Sequence, residues 1–346
     1  MTRLLAAVVA ALLAAATAAG AVARQTDGAP ASSFEEFLDG VRRDAAARGI
    51  SGATLEAALS GLTPEPVVVS RDRAQPELTQ SLDTYIARRL TARPAGPRTI
   101  ATARTALASE RRTLARLEER YGAPPAILIA IWGLESNFGR FTGTYSTIRS
   151  LATLAYDARR PIFRDELLHA LAIVERGDAA PADLKGSWAG AMGQPQFMPS
   201  SYLRYAVDDD GDGRANIWTS RQDVFASMAN YLREKGWTSG ERWGREVAIS
   251  RAVMTRIDRE VPMRTTGCRA LRELTVPRPI AEWQALGVRR VGGAALPVST
   301  MTASLVRGQK RHFLVYGNFE AILDYNCSNA YAVTVGLLAD RIAGVQ

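Results

Sequence analysis

The stretch that most constrains this chain runs from Ala126 to Gly139: Ala-Ile-Leu-Ile-Ala-Ile-Trp-Gly-Leu-Glu-Ser-Asn-Phe-Gly. Pro124 and Pro125 precede it, and proline is accommodated in the first turn of a helix. A helix that is apolar almost all round has no face to turn to water, so other elements must wrap it. The chain is therefore expected to build a helical core around this segment. Glu135 is the only charge in it before Arg140. Burial penalises the charged form of a carboxyl and raises its pKa. An acid that keeps its proton near neutrality can protonate a leaving oxygen. The plainer reading is a helix-end glutamate, solvated or paired with an arginine. Ser136, Asn137 and Gly139 favour a cleft wall, because they are small or polar residues at the end of a buried helix.

The rest of the chain reads as mainly helical. Ser33-Phe-Glu-Glu36 is a capping box, with Phe34, Phe37, Leu38 and Val41 at helical spacing behind it. Short helices are expected over 54–59 and 81–90, with an extended link through Val67-Val68-Val69 between them. Ile100, Leu107, Leu114 and Tyr121 predict one long amphipathic helix closed by Gly122. Further helices are expected near 147–158, 162–176, 199–206, 223–236 and 328–343. Residues 245–317 carry β-branched residues, prolines and short alternating runs such as His312-Phe-Leu-Val-Tyr316, and read as a small β-rich insertion. The fold class is thus mainly α (α+β).

The first residues read as a label. Arg3 is followed by an apolar run from Leu4 to Ala19 and an Ala21-Val22-Ala23 triplet. That pattern predicts a cleavable signal peptide over 1–23. The run is short of the roughly 20 residues a spanning helix needs. Residues 24–32 are small and polar and are expected to be disordered, leaving 33–346 as the folded domain. Export would put Cys268 and Cys327 in an oxidising compartment, where one bridge is expected; two buried free thiols are the other reading. The formal charge of +8 admits an anionic partner. Its arginines are spread along the chain without interleaved aromatics, which disfavours nucleic acid. Two histidines leave little for a multi-histidine metal site.

Two further segments carry chemistry. Gly186-Ser-Trp-Ala-Gly-Ala-Met-Gly-Gln-Pro-Gln-Phe-Met-Pro-Ser-Ser-Tyr202 keeps its backbone thin with glycine and alanine, so a ligand can approach closely. Ser187, Gln194 and Gln196 offer hydrogen bonds; Trp188, Phe197 and Tyr202 offer faces. Such a set suits a sugar chain, or else forms a packed turn feeding the helix begun by Pro199. The other segment, Asp208-Asp-Asp210-Gly-Asp212-Gly213-Arg214-Ala-Asn216, fits the start of an EF-hand calcium loop. Asp208, Asp210 and Asp212 would wrap a hard cation, Arg214 would lend its carbonyl, and Asn216 would ligate directly or through water. Position 12 is Thr219, which has no carboxylate, so Asp223 in a lengthened loop is the better last ligand. An acidic turn without metal is the alternative.

Together these segments resemble one family, the membrane-bound lytic transglycosylase B family of bacterial cell-wall enzymes. The resemblance is carried by Trp132-Gly-Leu-Glu135-Ser-Asn-Phe-Gly-Arg140, the Gly186–Tyr202 segment, the 208–218 loop, Ser227-Met-Ala-Asn-Tyr231 and Tyr325-Asn326, in the family's order. It implies a lysozyme-like helical fold with a small β-containing insertion. It implies cleavage of the β-1,4 bond between N-acetylmuramic acid and N-acetylglucosamine in peptidoglycan, with Glu135 as the single acid and then base. The muramic acid C6 hydroxyl attacks C1, and a 1,6-anhydro sugar results. Sugar-cleft roles carry over to Ser187, Gln196, Tyr231, Tyr325 and Asn326, and more weakly to Tyr85. The resemblance implies a structural Ca2+, peptidoglycan strands as partner, and a soluble periplasmic monomer without a stable membrane anchor. A bridge between Cys268 and Cys327 would tie the end of the β-rich insertion to Tyr325-Asn326. Two rivals stand beside this reading: a hydrolytic muramidase, and a catalytically silent wall-binding scaffold.

Overall fold

The computed structural model describes residues 33–74 and 80–344. The signal-peptide and disordered-segment expectations fall on 1–32 and lie outside the described residues. The chain forms two compact units: 33–74 with 135–230, and 80–134 with 231–344. It passes between them within the helices Pro125–Ser136 and Arg221–Glu234.

In the first unit, Ser33 caps the helix Phe34–Ala47 through the amide of Glu36, as the capping box predicts. Helices Gly52–Leu59, Pro66–Arg73, Thr147–Tyr156, Ile162–Glu175 and Pro199–Tyr205 pack with it around Leu151, Leu154, Leu167 and Leu171. The Val67–Val69 run is helical rather than extended. Pro66 stands at its first turn and Val68 is buried, so the N-terminal proline and the packing outweigh the β-branched preference.

In the second unit, the expected long helix is two, Ala95–Ser109 and Arg111–Tyr121. Their buried positions, Ala103, Ala106, Leu114, Leu117 and Tyr121, would form one stripe with position 110 in it. That position is a glutamate, and the helix breaks where the stripe would bury a carboxylate. Gly122 then closes the second helix in a left-handed conformation.

Seven short strands are present among the described residues: β1 Tyr145–Ser146, β2 Lys185–Gly186, β3 Gly244–Ala248, β4 Arg278–Pro279, β5 Arg289–Arg290, β6 Thr302–Arg307 and β7 His312–Val315. β1 pairs with β2 in the first unit. The other five form an antiparallel sheet, ordered β4-β6-β7-β3-β5, in the second. Alternation along β7 serves two apolar faces. Leu314 joins Trp283, Leu305 and Ile257 on one, and Phe313 meets Trp243 on the other. The segment read as β-rich also holds the helices Arg251–Glu260, Arg269–Arg272 and Ile280–Leu286. Cys268 and Cys327 form a disulfide in this unit. No helix among the described residues is long and apolar enough to cross a membrane.

Candidate functional site

The helix Pro125–Ser136 is buried along Ile127–Trp132, as its composition demands. Glu135 lies in its last turn and is only 5% exposed. The chain then leaves the helix through three successive left-handed residues, Asn137, Phe138 and Gly139, with φ of 51°, 60° and 74°. A side chain in that region costs about 1–2 kcal/mol, so Asn137 and Phe138 hold a conformation that the surrounding structure imposes. The hydroxyl of Ser136 accepts from Gly139 N at 3.0 Å, and its carbonyl accepts from Phe141 N at 2.9 Å. The turn delivers Phe141 to the surface directly after the buried acid.

The Gly186–Tyr202 segment is stitched to that turn. β1 and β2 pair Tyr145 with Gly186. Just before β1, Gly143 (φ 92°) passes so close to Gly186 that a Cβ on it would collide with the Gly186 carbonyl. Ser187 folds its own turn: its hydroxyl oxygen accepts from Ala189 N and Ala191 N, and its amide donates to Ala191 O. Met192 and Phe197 exchange backbone hydrogen bonds of 2.7 and 3.0 Å. Between them Gln196 is left-handed (φ 54°). Its Nε2 donates to Thr142 O at 3.2 Å and Gly193 O at 2.8 Å. The Glu135 turn and the Ser187–Gln196 turn thus form one hydrogen-bonded piece of the first unit.

The other sequence-predicted sugar contacts lie in the second unit. Tyr231 packs edge-on against Tyr325, with ring centroids 4.9 Å apart, and its hydroxyl donates to Asp324 O at 2.7 Å. Tyr325 and Asn326 are buried, next to the disulfide at Cys327. Tyr85, on the short helix Leu82–Ile86, carries the Arg89 guanidinium over its ring at 5.5 Å.

The acidic loop gathers Asp208, Asp210 and Asp212, with a carboxylate oxygen from each within 4.8 Å of the others. Three exposed carboxylates at that spacing suit a hard cation that takes oxygen ligands. Asp223 is fully buried and acts as a clasp. One of its oxygens accepts from the amides of Asp209 and Asp210, the other from that of Asn216. Burial pushes its carboxyl above the usual range, against the pull of those amides. Asn216 turns its carboxamide oxygen to the amides of Trp218 and Thr219, and the carbonyl of Arg214 accepts from Asn216 N. The donor set fits a cation at the three aspartates, with Asp223, Asn216 and Arg214 holding the loop in shape.

Gly143 and Thr142 went unmarked in the sequence. Their signal, a lone Thr-Gly-Thr after an apolar helix, is too short to read. Gln194, one of the hydrogen-bonding side chains of this segment, donates from its Nε2 to Trp218 O at 2.8 Å.

Fold and site define a mainly helical protein in which one buried acid is joined to a glycine-rich turn bearing amides and aromatic rings. The chain belongs to the transglycosylase SLT domain family, whose model matches residues 33–340. It is 44% identical over 131 residues to membrane-bound lytic murein transglycosylase B of Escherichia coli strain K12. That match covers 37% of this chain and 36% of the relative, so it spans about a third of that relative's length. Its structure is similar to SltB3 of Pseudomonas aeruginosa in complex with NAG-NAM-pentapeptide (TM-score 0.81, 42% identity, 90% of this chain and 80% of that one). SltB3 has also been solved with NAG-anhNAM-pentapeptide (TM-score 0.80, 42% identity, 91% and 80%). The Escherichia coli lytic transglycosylase Slt35 in complex with calcium is similar at a TM-score of 0.70 (28% identity, 92% and 94%). The fold is therefore the lysozyme-like helical fold of these lytic transglycosylases.

Proposed function

We propose that this protein is a lytic transglycosylase that cleaves the β-1,4 bond between N-acetylmuramic acid and N-acetylglucosamine in peptidoglycan. The observation that carries the reading is Glu135, buried at the end of a core helix and joined through its turn to Ser187 and Gln196. The names of the relatives and the two SltB3 complexes support it.

Glu135, only 5% exposed at the end of its helix, gives a proton to the glycosidic oxygen as general acid. Transfer of that proton breaks the bond to C1, and the N-acetylglucosamine side leaves as an alcohol. The resulting carboxylate takes the proton of the muramic acid C6 hydroxyl as its oxygen attacks C1. Glu135 is thereby reprotonated, and no water enters the balance. A hydrolytic glycosidase needs a second carboxylate to activate water or to act as nucleophile. Here the nucleophile is already held on the substrate, which supplies the entropic advantage of an intramolecular reaction.

Ser187 and Gln196 hydrogen-bond the sugar. The family resemblance extends sugar-contact roles to Tyr231, Tyr325, Asn326 and Tyr85. A structural Ca2+ at Asp208, Asp210 and Asp212, supported by Arg214, Asn216 and Asp223, agrees with the donor set and with the calcium complex of Slt35. The signal-peptide pattern over 1–23 supports export, and a wall substrate supports a periplasmic site of action for the 33–346 domain.

The test is a digest of purified sacculi analysed by mass. Wild type releases muropeptides one water lighter than hydrolytic products. Glu135→Gln lowers their release by roughly 10²–10⁴-fold, the usual worth of a general acid, with its melting temperature preserved. Undiminished turnover in the variant, or products that carry the extra water, overturns the assignment.

A further inference from the structure

The acidic loop and the glycine-rich turn share more than a unit of the fold. Gln194 lies between Ser187 and Gln196 and is 6% exposed. Its amide donates to Ile217 O at 2.9 Å and its Nε2 to Trp218 O at 2.8 Å. Both carbonyls belong to the loop that begins at Asp208. In return, the indole N–H of Trp218 donates to Lys185 O at 3.2 Å, in β2. The hydroxyl of Tyr202 donates to Ala215 O at 3.0 Å. Gly193 lets the two segments touch, since a Cβ there would sit 2.7 Å from Ile217 O.

The two carbonyls that hold Gln194 are themselves set by the acidic turn. Asn216 fixes the amides of Trp218 and Thr219 through its carboxamide, and its own amide is held by Asp223. Asp223 also holds the amides of Asp209 and Asp210, and Ser220 donates to Asp210 Oδ2 at 2.6 Å. On the other side, Gln196, left-handed at φ 54°, donates from its side chain to Gly193 O and Thr142 O. A path of hydrogen bonds and peptide links therefore runs from the aspartates to Thr142, seven residues after Glu135 in the chain.

We propose that Gln194 is a positioning residue that transmits the order of the 208–220 loop to the 187–197 turn, so that a divalent cation at Asp208, Asp210 and Asp212 and a glycan in the turn bind with positive coupling. The proposal rests on the reading of that turn as a glycan contact. Coupling of this kind is reciprocal: each ligand tightens the other by the same factor. The carboxamide is specific for the task, because Trp218 O needs a donor at that distance. Methionine has the same length and packing volume but no donor, and a carboxylate would face the carbonyl with like polarity.

The full chain and its Gln194→Met variant are compared by amide hydrogen exchange over peptides covering 186–197, in Ca2+ and in excess chelator. In the wild type Ca2+ slows exchange there by about fivefold or more, the low end of ordinary coupling. In Gln194→Met the slowing falls below about twofold, while Ca2+ still raises the melting temperature. In Ca2+, the variant's KM for glycan strands rises about tenfold, the loss of one hydrogen bond, and kcat changes far less. Trp218→Phe, which removes the bond to Lys185, reads the same coupling if the methionine variant folds poorly. Equal Ca2+ responses in variant and wild type, or a wild-type turn that ignores Ca2+, overturn the proposal. If the wild type releases no anhydro product, the functional reading fails alone, and the exchange comparison still decides the coupling.

Discussion

Gly143 has no room for a side chain and no freedom to be another residue. Its φ of 92° is in the region that favours glycine, and a Cβ would strike the Gly186 carbonyl. Gly177 is equally left-handed (φ 73°), but nothing stands within 4 Å of its Cβ position. The pair separates conformational strain from collision. Gly177→Ala is expected to cost about 1 kcal/mol, the strain alone. Gly143→Ala is expected to cost more than about 2 kcal/mol, because the β1–β2 contact must open. Denaturant unfolding of both variants checks this; equal losses would mean that the Gly186 strand yields freely. Glu135 itself was legible as the lone charge in an apolar helix. The company it keeps, Gln196 through Thr142 and Gly186 through Gly143, was not, because those contacts join positions tens of residues apart.

Among the elements, the helix Pro199–Tyr205 starts without a capping side chain of its own. Glu166, on the helix Ile162–Glu175, supplies the cap from a distance: it accepts from Ser200 N at 2.9 Å and Ser200 Oγ at 2.6 Å. Its carboxyl is buried, and desolvation raises its pKa from 4.5. The two Ser200 bonds and His169 oppose that shift, and Asp165 adds to it. A carboxyl whose folded pKa is raised binds its proton more tightly when folded. Its share of stability is therefore present at acid pH and is lost as pH rises from about 4.5 through the folded value. Glu166→Gln keeps the acceptor for Ser200 N and cannot ionise. Between pH 4.5 and neutrality its unfolding free energy is expected to fall less than that of the wild type; parallel curves would refute this. Helix periodicity located both helices, yet nothing local announced that one caps the other. The break at Glu110 has a different cause: the glutamate stands in the stripe of Ala103, Ala106, Leu114, Leu117 and Tyr121, whereas Ile100 and Leu107 of the seven-residue repeat are only half-buried.

For the whole molecule, the one covalent cross-link falls within the second unit. Cys268 and Cys327 stand 59 residues apart with Cα atoms 6.4 Å from each other, and Ala270 N donates to Cys327 Sγ at 3.3 Å. The link joins the start of the helix Arg269–Arg272 to the chain just after Tyr325 and Asn326. In the chain-entropy account, a closed loop of that length removes about 4 kcal/mol of unfolded-state freedom. A double Cys268→Ala, Cys327→Ala variant is expected to lose about that much in denaturant unfolding, and reduced wild type should match it. No loss on reduction would mean that the bridge adds nothing to this fold.

Three features could be read from the residues in order: a buried helix with one acid, a loop with carboxylates at alternate positions, and two cysteines free to join. The first two are local, since helical period and ligand spacing are properties of neighbouring residues; the third follows from the chain having only two cysteines. Tertiary structure alone decided that Asp223 clasps the loop, that Gln194 serves the loop as well as the turn, and that Gly143 lies against Gly186. Those outcomes depend on backbone carbonyls and amides, which every residue carries alike. Only the packed chain selects which of them meet.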